Sequence, residues 1–389
     1  MLNFFFRLFS REWAGLQIAA VLTLALLGLL HTTHLTSDEL QRALTVAALA
    51  PGVLLSIGAL AHLQRRARIR RKLPPPGRLI DIGGYCVHVL AEGQTRADAP
   101  AIVWFAGGHA GGFAIHHLHR ALRDETRSIL IDRPGTGWSD TGPFPRTTAR
   151  EAAEMVLALE RAGEKGPFIW AGHSFGGLLC ANIARRHPEL VHTLVLLDPT
   201  PLETILFGPR FSAIREMQRS AIFSGLAQLF GIDFAARQRM LQAQDPVCSK
   251  IIQATETVLG PEVAALRDLD ARAGAHFAQA SIYRELSPEG AAACAFETVV
   301  YDGDLGDLAV LLVGPQNDID VQALPEANTS DAAHSRYVIR RLAATRERYL
   351  AISTRSQRIV APAGTGHNFI YEVPEWVAQV LRGAMLRKD

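Results

Sequence analysis

The chain has 389 residues, too many for one minimal domain and enough for a large α/β domain with an extension. Hydrophobic residues make up 48% of it and the formal net charge is +2; we interpret this high apolar content as partly serving a membrane. The four cysteines show no paired spacing typical of a metal site, so we expect free thiols and no disulfides, as in a reducing compartment.

Two uncharged apolar runs lie near the N-terminus, at 14–30 and 43–61. Each is close to the length that crosses a hydrocarbon layer as a helix, and Pro51 and Gly52 predict a kink in the second run. A signal peptide would explain only the first run, and no small-x-small cleavage site follows Leu30. The sequence therefore predicts a two-helix transmembrane hairpin.

Positive charge flanks both ends of this predicted hairpin. Residues 1–78 carry 10 basic and 3 acidic side chains, whereas residues 79–389 carry 30 basic and 35 acidic ones. Because basic flanks usually stay on the cytoplasmic side, both ends are predicted to lie inside. The basic stretch 65–72 directly follows an apolar run, so we expect it to contact anionic lipid headgroups rather than nucleic acid.

A proline-rich linker at 74–77 separates the hairpin segment, residues 1–77, from residues 78–389. Beyond it, RLIDI and YCVHVLA are joined by two glycines and predict a β-hairpin. Further apolar runs predict strands of a mostly parallel sheet with helices on both faces, and the fold class is therefore α/β. These runs are 101–105, 128–131, 167–171, 194–197, 309–313 and 358–362.

Helices are predicted between these strands, at 148–163, 332–353 and 374–386. Thr148, with Glu151 three positions later, matches a capping box at the first of them. From about 202 to 304, helical periodicity replaces the alternation, and we interpret this insertion as a helical cap over a pocket. Its phenylalanines either line that pocket or pack the core of the cap itself; they include Phe207, Phe211, Phe223, Phe230 and Phe234.

The stretch 172–176, GHSFG, fits the pattern G-x-S-x-G between a predicted strand and a small-residue helix start. A sharp strand-to-helix turn of this kind needs neighbours without bulk, and it projects the Ser174 hydroxyl as a nucleophile. A serine nucleophile needs a base within hydrogen-bond reach, and His367, after the last predicted strand, is the candidate. The alternative for His367 is a loop histidine without a catalytic role.

A carboxylate must fix the tautomer of His367 and stabilise its charged form. We predict Asp318, just past the strand 309–313, for this role. Asp320 and Asp198 stay open as alternatives; Asp198 ends the strand 194–197, where it could also serve only as a strand terminus.

Two backbone N–H groups are expected to stabilise the oxyanion of an acyl-transfer reaction. We predict the amides of Phe175 and of Gly108, in the loop AGGHAGG, with His109 as a pocket residue. The histidines of 116–119 could indicate a metal, but adjacent helical histidines diverge and no Cys or acidic residue has ligand spacing nearby. We therefore predict a polar helix surface and no metal.

Residues 78–389 resemble the α/β-hydrolase superfamily from first strand to last helix. The motifs DRPGTGWSD (132–140), PRT (145–147) and GPFIWAGHSFGG (166–177) are similar to those of bacterial serine hydrolases and esterases with hydrophobic N-terminal segments. The resemblance implies an eight-stranded, mostly parallel sheet, a variable helical cap and no cofactor. Together with the two apolar runs and their basic flanks, it predicts a multi-pass protein of the bacterial inner membrane with its catalytic domain on the cytoplasmic side.

The chain departs from several relatives within that superfamily. Epoxide hydrolases and haloalkane dehalogenases carry aspartate where this chain has Ser174, and proline iminopeptidases carry a proline that the loop 107–109 lacks. Relatives usually place the acid three residues after the strand-end glycine, but here Asn317 holds that position and Asp318 stands four after Gly314.

Together these features predict a membrane-anchored serine hydrolase that cleaves carboxylic esters of lipophilic acyl groups through an acyl-enzyme intermediate. The same triad could instead serve an aminopeptidase, thioesterase, lactonase or acyltransferase. A non-catalytic small-molecule-binding protein of the same fold is a further alternative. The predicted partners are a small-molecule ester and membrane lipid, without nucleic acid, and the oligomeric state is left open.

Overall fold

The computed structural model describes residues 2–32, 38–96, 99–201, 212–234, 240, 244, 246–285, 300–316 and 345–387. Its strands are β1 Arg78–Asp81, β2 Cys86–Glu92, β3 Ile102–Phe105, β4 Ser128–Ile131, β5 Phe168–His173, β6 Val191–Leu197, β7 Ala309–Gly314 and β8 Ser356–Val360. They form one sheet in the order β1-β2-β4-β3-β5-β6-β7-β8. Each coincides with an apolar run that the sequence predicted to be a strand.

The α-helices of the described residues begin with α1 Leu2–Phe9, α2 Ala14–Thr32 and α3 Asp38–Lys72. Those among and after the first strands are α4 His116–Leu122, α5 Thr148–Ala162 and α6 Phe175–Arg186. Between β6 and β7 lie α7 Ser212–Gln228, α8 Pro246–Leu259, α9 Glu262–Asp270 and α10 Ala273–Glu285, and the chain closes with α11 Phe369–Glu372 and α12 Pro374–Met385.

The sheet is antiparallel only at one edge, where β2 pairs with β1 and β4, and it is parallel from β4 to β8. Every residue of β3, β4, β5 and β7 is buried. Helices α5 and α6 cover one face, around Met155 and Trp170, and α4 and α12 cover the other, around Leu118. Burial on both faces explains why these strands read as uninterrupted apolar runs.

The N-cap of helix α5 lies one residue before the threonine that the predicted capping box assigned to it. Thr147, not Thr148, is the N-cap residue, and its side chain accepts a hydrogen bond from the Arg150 amide at 3.2 Å. The amide and hydroxyl of Thr148 instead donate to Glu285 of α10, at 2.7 and 2.8 Å. The assignment of the cap to Thr148 was therefore wrong, because a tertiary contact uses that side chain.

Helices α2 and α3 are long and apolar enough to cross a membrane. They cross closely, since a β-carbon on Gly52 would lie 1.8 Å from the Thr23 hydroxyl oxygen. Large apolar side chains on both point outward; Leu24 is 69% exposed and Leu54 is also 69% exposed. The predicted kink at Pro51 does not interrupt α3, which runs as one helix from Asp38 to Lys72.

Helices α7 to α10 fall in the interval 202–304 that was predicted to form a cap. Phe277 of α10 is fully buried and packs on Phe5 and Phe6 of α1, with ring centroids 5.8 and 5.7 Å apart. Phe223 and Phe234 pack edge to face on each other, 4.8 Å apart. Phe277 thus packs α10 on the N-terminal helix, and Phe223, beside Phe234, stays 53% exposed rather than lying in a core of the predicted cap. Phe207 and Phe211 lie outside the described residues.

Of the helix predicted at 332–353, the structure describes only its last part, where a 3₁₀-helix spans Thr345–Leu350. The predicted final helix at 374–386 corresponds to α12. Cys86 and Cys180 are free thiols, as expected. Cys294 and the side chain of Cys248 lie outside the described part of the chain.

Candidate active site

Ser174 stands at a sharp turn between β5 and α6, as the G-x-S-x-G pattern predicted. Its backbone has φ 53° and ψ −119°, a region that residues other than glycine rarely occupy. Close approach makes the turn possible, because a β-carbon on Gly172 would lie 2.4 Å from the carbonyl group of Gly176. The turn therefore needs glycine at 172, and it leaves the Ser174 hydroxyl at the end of the sheet.

His367 follows β8 and precedes α11, and its imidazole reaches the serine. Its Nε2 lies 3.0 Å from Ser174 Oγ, and its Nδ1 lies 2.5 Å from Asp198 Oδ2. With Nδ1 protonated and donating to the carboxylate, Nε2 can accept the Ser174 hydroxyl proton. The structure thus brings together the predicted nucleophile, the predicted base and one of the predicted acids.

The acid in contact with His367 is Asp198, not the preferred Asp318. Asp198 is buried at the end of β6, with a positive φ of 42°. Its Oδ2 occupies the hydrogen-bonding position at Nδ1. Asp318 and Asp320 lie outside the described residues. The geometry reverses our order of preference and favours Asp198.

Neighbouring strands explain why Asp198 reaches this position. β6 and β7 pair in parallel, with Leu197 opposite Val313, so their carboxyl ends lie side by side. A β-carbon on Gly314 would lie 3.1 Å from Asp198 Oδ1. The strand-end glycine of β7 therefore leaves room for a carboxylate that comes from β6.

Arg346 was not singled out from the sequence, yet it contacts the same carboxylate. Its Nε lies 3.3 Å from Asp198 Oδ1 and donates to the carbonyl oxygen of Pro199 at 3.0 Å. Tyr349, one turn later, donates its hydroxyl to the Thr200 carbonyl at 2.8 Å. The 3₁₀-helix at Thr345–Leu350 thus fixes the turn after β6 and holds Asp198 toward His367.

His173 is a second residue that the sequence gave no reason to select. Its side chain is buried beside His367, and its Nε2 donates to the His367 carbonyl oxygen at 2.9 Å. Burial, together with the nearby His367, lowers the pKa of His173 from 6.5 to about 3. A neutral His173 therefore positions the loop of the base without adding charge to the site.

This burial predicts an acid-dependent loss of stability. A neutral histidine in the folded state takes up a proton in the unfolded chain below pH 6.5, so the folded form loses stability as pH falls from 6.5 toward 3. Replacing His173→Gln, which keeps an N–H donor, should remove a loss of about 2 kcal/mol between pH 7 and pH 5. Urea unfolding of both proteins in detergent at the two pH values measures this difference.

His187→Gln serves as the control, because the His187 side chain is 32% exposed and its loss removes a histidine without removing a buried one. Parallel pH dependence of the wild type and His173→Gln would contradict a neutral, buried His173.

The loop that was predicted to supply the oxyanion donors lies next to Ser174. A β-carbon on Gly107 would lie 3.0 Å from Ser174 Cβ, and Gly108 is exposed, with φ 53°. Phe175 is the first residue of α6, where amide groups have no partner within the helix. The loop that contains the predicted donor Gly108 therefore approaches Ser174, and the other predicted donor, Phe175, follows Ser174 directly along the chain.

Arg133, from the motif DRPGTGWSD, touches both of these residues. Its Nη2 donates to the Gly108 carbonyl oxygen, and its guanidinium carbon lies 5.0 Å from the centroid of the Phe175 ring. The side chain is buried and donates through Nη1 to Glu151 Oε2 at 3.0 Å. Arg133 thus ties the two predicted oxyanion donors to helix α5.

Arg133→Met should lower the free energy of unfolding by about 3–5 kcal/mol, because it leaves the buried Glu151 carboxylate without this partner. Arg150→Met is the matched control, since Arg150 is exposed at its guanidinium, and it should cost less than about 1 kcal/mol. Chemical denaturation measures both, and equal losses would contradict the role of the buried pair.

The histidines of α4 have acidic partners that the sequence did not reveal. His119 Nε2 contacts Glu92 Oε2 at 2.8 Å, and His116 Nδ1 contacts Glu262 Oε1 at 2.7 Å. Glu92, His116 and His119 could offer metal ligands within 4.8 Å of one another. Glu92 already pairs with Arg123 at 2.7 Å, and burial lowers the pKa of His119 to about 4. The sequence spacing could not show these partners, because both carboxylates come from distant elements. The prediction of a polar helix surface was wrong, since His116 and His119 are buried.

His109, the predicted pocket residue, lies beside the Arg133 motif; its Nε2 would be 3.3 Å from a β-carbon on Gly135. Its two ring nitrogens are buried without a hydrogen-bond partner among the described residues. Burial and the neighbouring Arg133 lower its pKa well below the usual value. His109 is therefore a neutral side chain next to Arg133 and Gly135.

Comparison with known proteins agrees with this architecture. A family model described as alpha/beta hydrolase fold matches residues 100–255. A 2-(acetamidomethylene)succinate hydrolase from Mesorhizobium japonicum is 30% identical over 124 residues, 32% of this chain and 43% of that protein. A 1-acylglycerol-3-phosphate O-acyltransferase from Arabidopsis thaliana is 36% identical over 109 residues, 27% of this chain and 26% of that protein. The chain thus spans less than half the length of these curated relatives.

Similarity to solved structures covers more of the chain. The crystal structure of a probable hydrolytic enzyme from Pseudomonas aeruginosa superposes with a TM-score of 0.58 at 19% identity, over 81% of this chain and 95% of that one. This likeness shows the fold alone. With its eight-stranded sheet, its serine at the strand-to-helix turn and the family match over residues 100–255, the chain has the α/β-hydrolase fold.

Proposed function

We propose that the protein is a membrane-anchored serine hydrolase that cleaves carboxylic esters with lipophilic acyl groups. The observation that carries the proposal is the hydrogen-bonded series Ser174 Oγ, His367 Nε2 and Nδ1, and Asp198 Oδ2. Its members come from three separate strand ends, and an arrangement of this kind activates a serine hydroxyl for acyl transfer.

In the proposed reaction, Ser174 Oγ attacks the ester carbonyl carbon while its proton passes to His367 Nε2. The resulting oxyanion accepts hydrogen bonds from the amides of Gly108 and Phe175. The intermediate then expels the alcohol, which takes the proton from Nε2, and the acyl group stays on Ser174. Water, deprotonated by His367, attacks this acyl-enzyme, and the carboxylic acid leaves as the Ser174 hydroxyl is restored.

Asp198 stays ionised throughout and holds the His367 proton on Nδ1. Arg346 and the Gly314 turn support the orientation of its carboxylate. The positive φ of Ser174 keeps the hydroxyl at the entrance of helix α6, where the helix dipole favours developing negative charge. These contacts support a serine-based mechanism rather than a pocket without chemistry.

Membrane attachment through α2 and α3 is the second part of the proposal. Exposed apolar side chains cover both helices, and Trp13, which is 61% exposed, precedes α2 at the position of an interfacial aromatic residue. Attachment to a bilayer would bring the site close to lipophilic esters. We infer the acyl preference from this location.

The contacts of α3 support a cytoplasmic position for the catalytic domain. Arg65 pairs with Asp268 at 3.1 Å, and Arg66 donates to the carbonyl oxygens of Asp268 and Leu269. The basic end of the hairpin therefore lies on the same side as the cap, and basic flanks usually remain in the cytoplasm.

A C-terminal green fluorescent protein fusion in a bacterial host should accordingly fluoresce, and a C-terminal alkaline phosphatase fusion should be inactive. Alkaline phosphatase fused after residue 35, between the two helices, should be active and serves as the control. An active C-terminal phosphatase fusion would place the catalytic domain on the other side.

Labelling by a fluorophosphonate probe tests the proposed chemistry directly. We expect one adduct per chain, on Ser174, in the full-length protein in detergent. Nitrophenyl esters of increasing acyl length then test the substrate class, with octanoate expected to exceed acetate in kcat/KM. Absence of labelling would indicate a non-catalytic binding protein, and preference for acetate would contradict a lipophilic acyl substrate.

Acyl transfer to an alcohol is a second candidate, favoured by the similarity to a plant 1-acylglycerol-3-phosphate O-acyltransferase. An alcohol would replace water in attacking the acyl-enzyme, with the same residues moving the proton. Adding glycerol or a lysophospholipid to the ester assay and analysing the products distinguishes the two outcomes. Aminopeptidase, thioesterase and lactonase activities are tested in the same way, with amide, thioester and lactone substrates.

A further inference from the structure

A cavity of about 420 Å³ lies between the N-terminal segment, helix α3, helix α10 and the loop after Trp138. It is separate from the Ser174 site, and none of the residues discussed in the reaction lines it. The charged side chains that line it are Arg11, Glu12, Arg66, Arg70, Asp140 and Arg272. The cavity therefore lies between the proposed membrane hairpin and the predicted cap.

The cavity carries an excess of positive charge. One of its four arginines forms an ion pair with a lining carboxylate: Arg70 pairs with both Glu12 oxygens at 2.8 and 2.9 Å. The other lining carboxylate, Asp140, accepts from the Cys86 amide at 2.7 Å. Arg11, Arg66 and Arg272 form no ion pair with a carboxylate among the described residues, although the buried Asp270 carboxyl attracts both Arg66 and Arg272 from a short distance.

Donors in this cavity are buried without acceptors among the described residues. Arg66 is 5% exposed; its Nη1 donates to carbonyl oxygens of α9, but its Nε has no partner. Arg272 donates Nη2 to the Ser139 carbonyl at 2.7 Å, and its Nε and the Ser10 hydroxyl also have no partner. Burying a donor without an acceptor costs about 1–3 kcal/mol, so a ligand with oxygen acceptors that draws these side chains toward the cavity would recover part of that cost.

The position of the cavity indicates where such a ligand would come from. Trp13 and His62 line it, and they stand at the start of α2 and just after the apolar run of α3. In a bilayer this is the depth of the headgroups, where phosphate oxygens carry the negative charge. Arginine binds phosphate through paired N–H donors, which matches the free Nε groups.

We propose that this cavity binds the phosphate group of an anionic phospholipid headgroup and thereby links the membrane anchor to the cap. The inference rests on the proposed membrane attachment for the source of the phosphate. The same N–H groups could also donate hydrogen bonds to a free phosphate ion. Because its walls belong to α3 and α10 at once, the bound group would stabilise the contact between them.

The test uses full-length Ser174→Ala protein in dodecyl maltoside micelles, so that hydrolysis cannot consume the probe. Its Tm is followed while dihexanoylphosphatidylglycerol, dihexanoylphosphatidylcholine or sodium phosphate is added. We expect a saturable rise in Tm with phosphatidylglycerol that exceeds the rise with phosphatidylcholine. Arg66→Lys and, separately, Arg11→Ala should weaken the apparent affinity by about tenfold, because each removes donors from the cavity.

Arg68→Ala and Arg71→Ala are the matched controls, since both residues are exposed in the same basic stretch and neither lines the cavity. Arg11 is also exposed, so its variant tests the site even if Arg66→Lys fails to fold. A saturable rise with sodium phosphate as well would support the phosphate site and identify free phosphate as a source. No saturable rise with any probe, or equal weakening by the control variants, would overturn the proposal.

An experiment that overturns the phosphate site can be told apart from one that overturns the proposed function. The binding assay uses protein without the nucleophile and contains no bilayer. Absence of ester hydrolysis or of membrane insertion would therefore leave its result unchanged.

Discussion

Asp198→Asn is expected to lower kcat for ester hydrolysis by about 10⁴-fold, the loss known for this change in a serine protease triad. The amide would donate a hydrogen bond to Nδ1 of His367, and the proton would then lie on Nε2. An Nε2 that carries a proton cannot accept the Ser174 hydroxyl proton, so the nucleophile would stay unactivated. Steady-state kinetics on a nitrophenyl ester measure the change.

Asp318→Asn and Asp320→Asn are the matched comparisons, and we expect both to stay within about threefold of the wild type. The Asp198 carboxylate also contacts Arg346, so the Tm of Asp198→Asn must be measured beside its kinetics. A folded Asp198→Asn protein with nearly full activity, together with an inactive Asp318→Asn protein, would return the acid to the position that the sequence favoured.

Ser174→Ala should lower kcat by about 10⁶-fold, as removal of the nucleophile does in a serine protease. The hydroxyl is small and stands outside the two main cores, so we expect the Tm to change by only a few degrees. Loss of fluorophosphonate labelling should accompany the loss of turnover. Ser356→Ala, which removes a hydroxyl bonded to the Ser353 carbonyl at the start of β8, is the control.

Substantial hydrolysis by a purified Ser174→Ala protein would contradict the proposed mechanism. It would mean that another group attacks the ester or that water does so directly. Mass spectrometry of the adduct after brief incubation with an ester would then identify the residue that carries the acyl group.

Local patterns in the sequence predicted the strands of the sheet and the strand-to-helix turn at Ser174 well. Strands such as 128–131 are recognisable as uninterrupted apolar runs, because a strand that is buried on both faces needs apolar side chains at successive positions. The glycines of 172–176 report a close backbone approach that any side chain would prevent. Ser174 and His367 could therefore be selected from their positions after predicted strands.

Contacts between distant elements were not available to the same reasoning. Whether Thr147 or Thr148 is the N-cap residue of α5 depended on Glu285 of α10, which accepts hydrogen bonds from Thr148. The acidic partners of His116 and His119 came from α9 and β2. His173 and Arg133 could be seen in their motifs, but their contacts with the His367 carbonyl and with Gly108 could not.

The sequence by itself determined which segments become strands and where the proposed nucleophile and its proposed base lie, because each depends on residues close along the chain. Only the tertiary structure shows that Asp198, rather than the Asp318 that the sequence favoured, contacts His367 among the described residues. Adjacent parallel strands end about 4.8 Å apart, so a carboxylate after either β6 or β7 can reach the same imidazole. The choice depends on which side chain fits the space that Gly314 leaves, and that space exists only once the strands have paired.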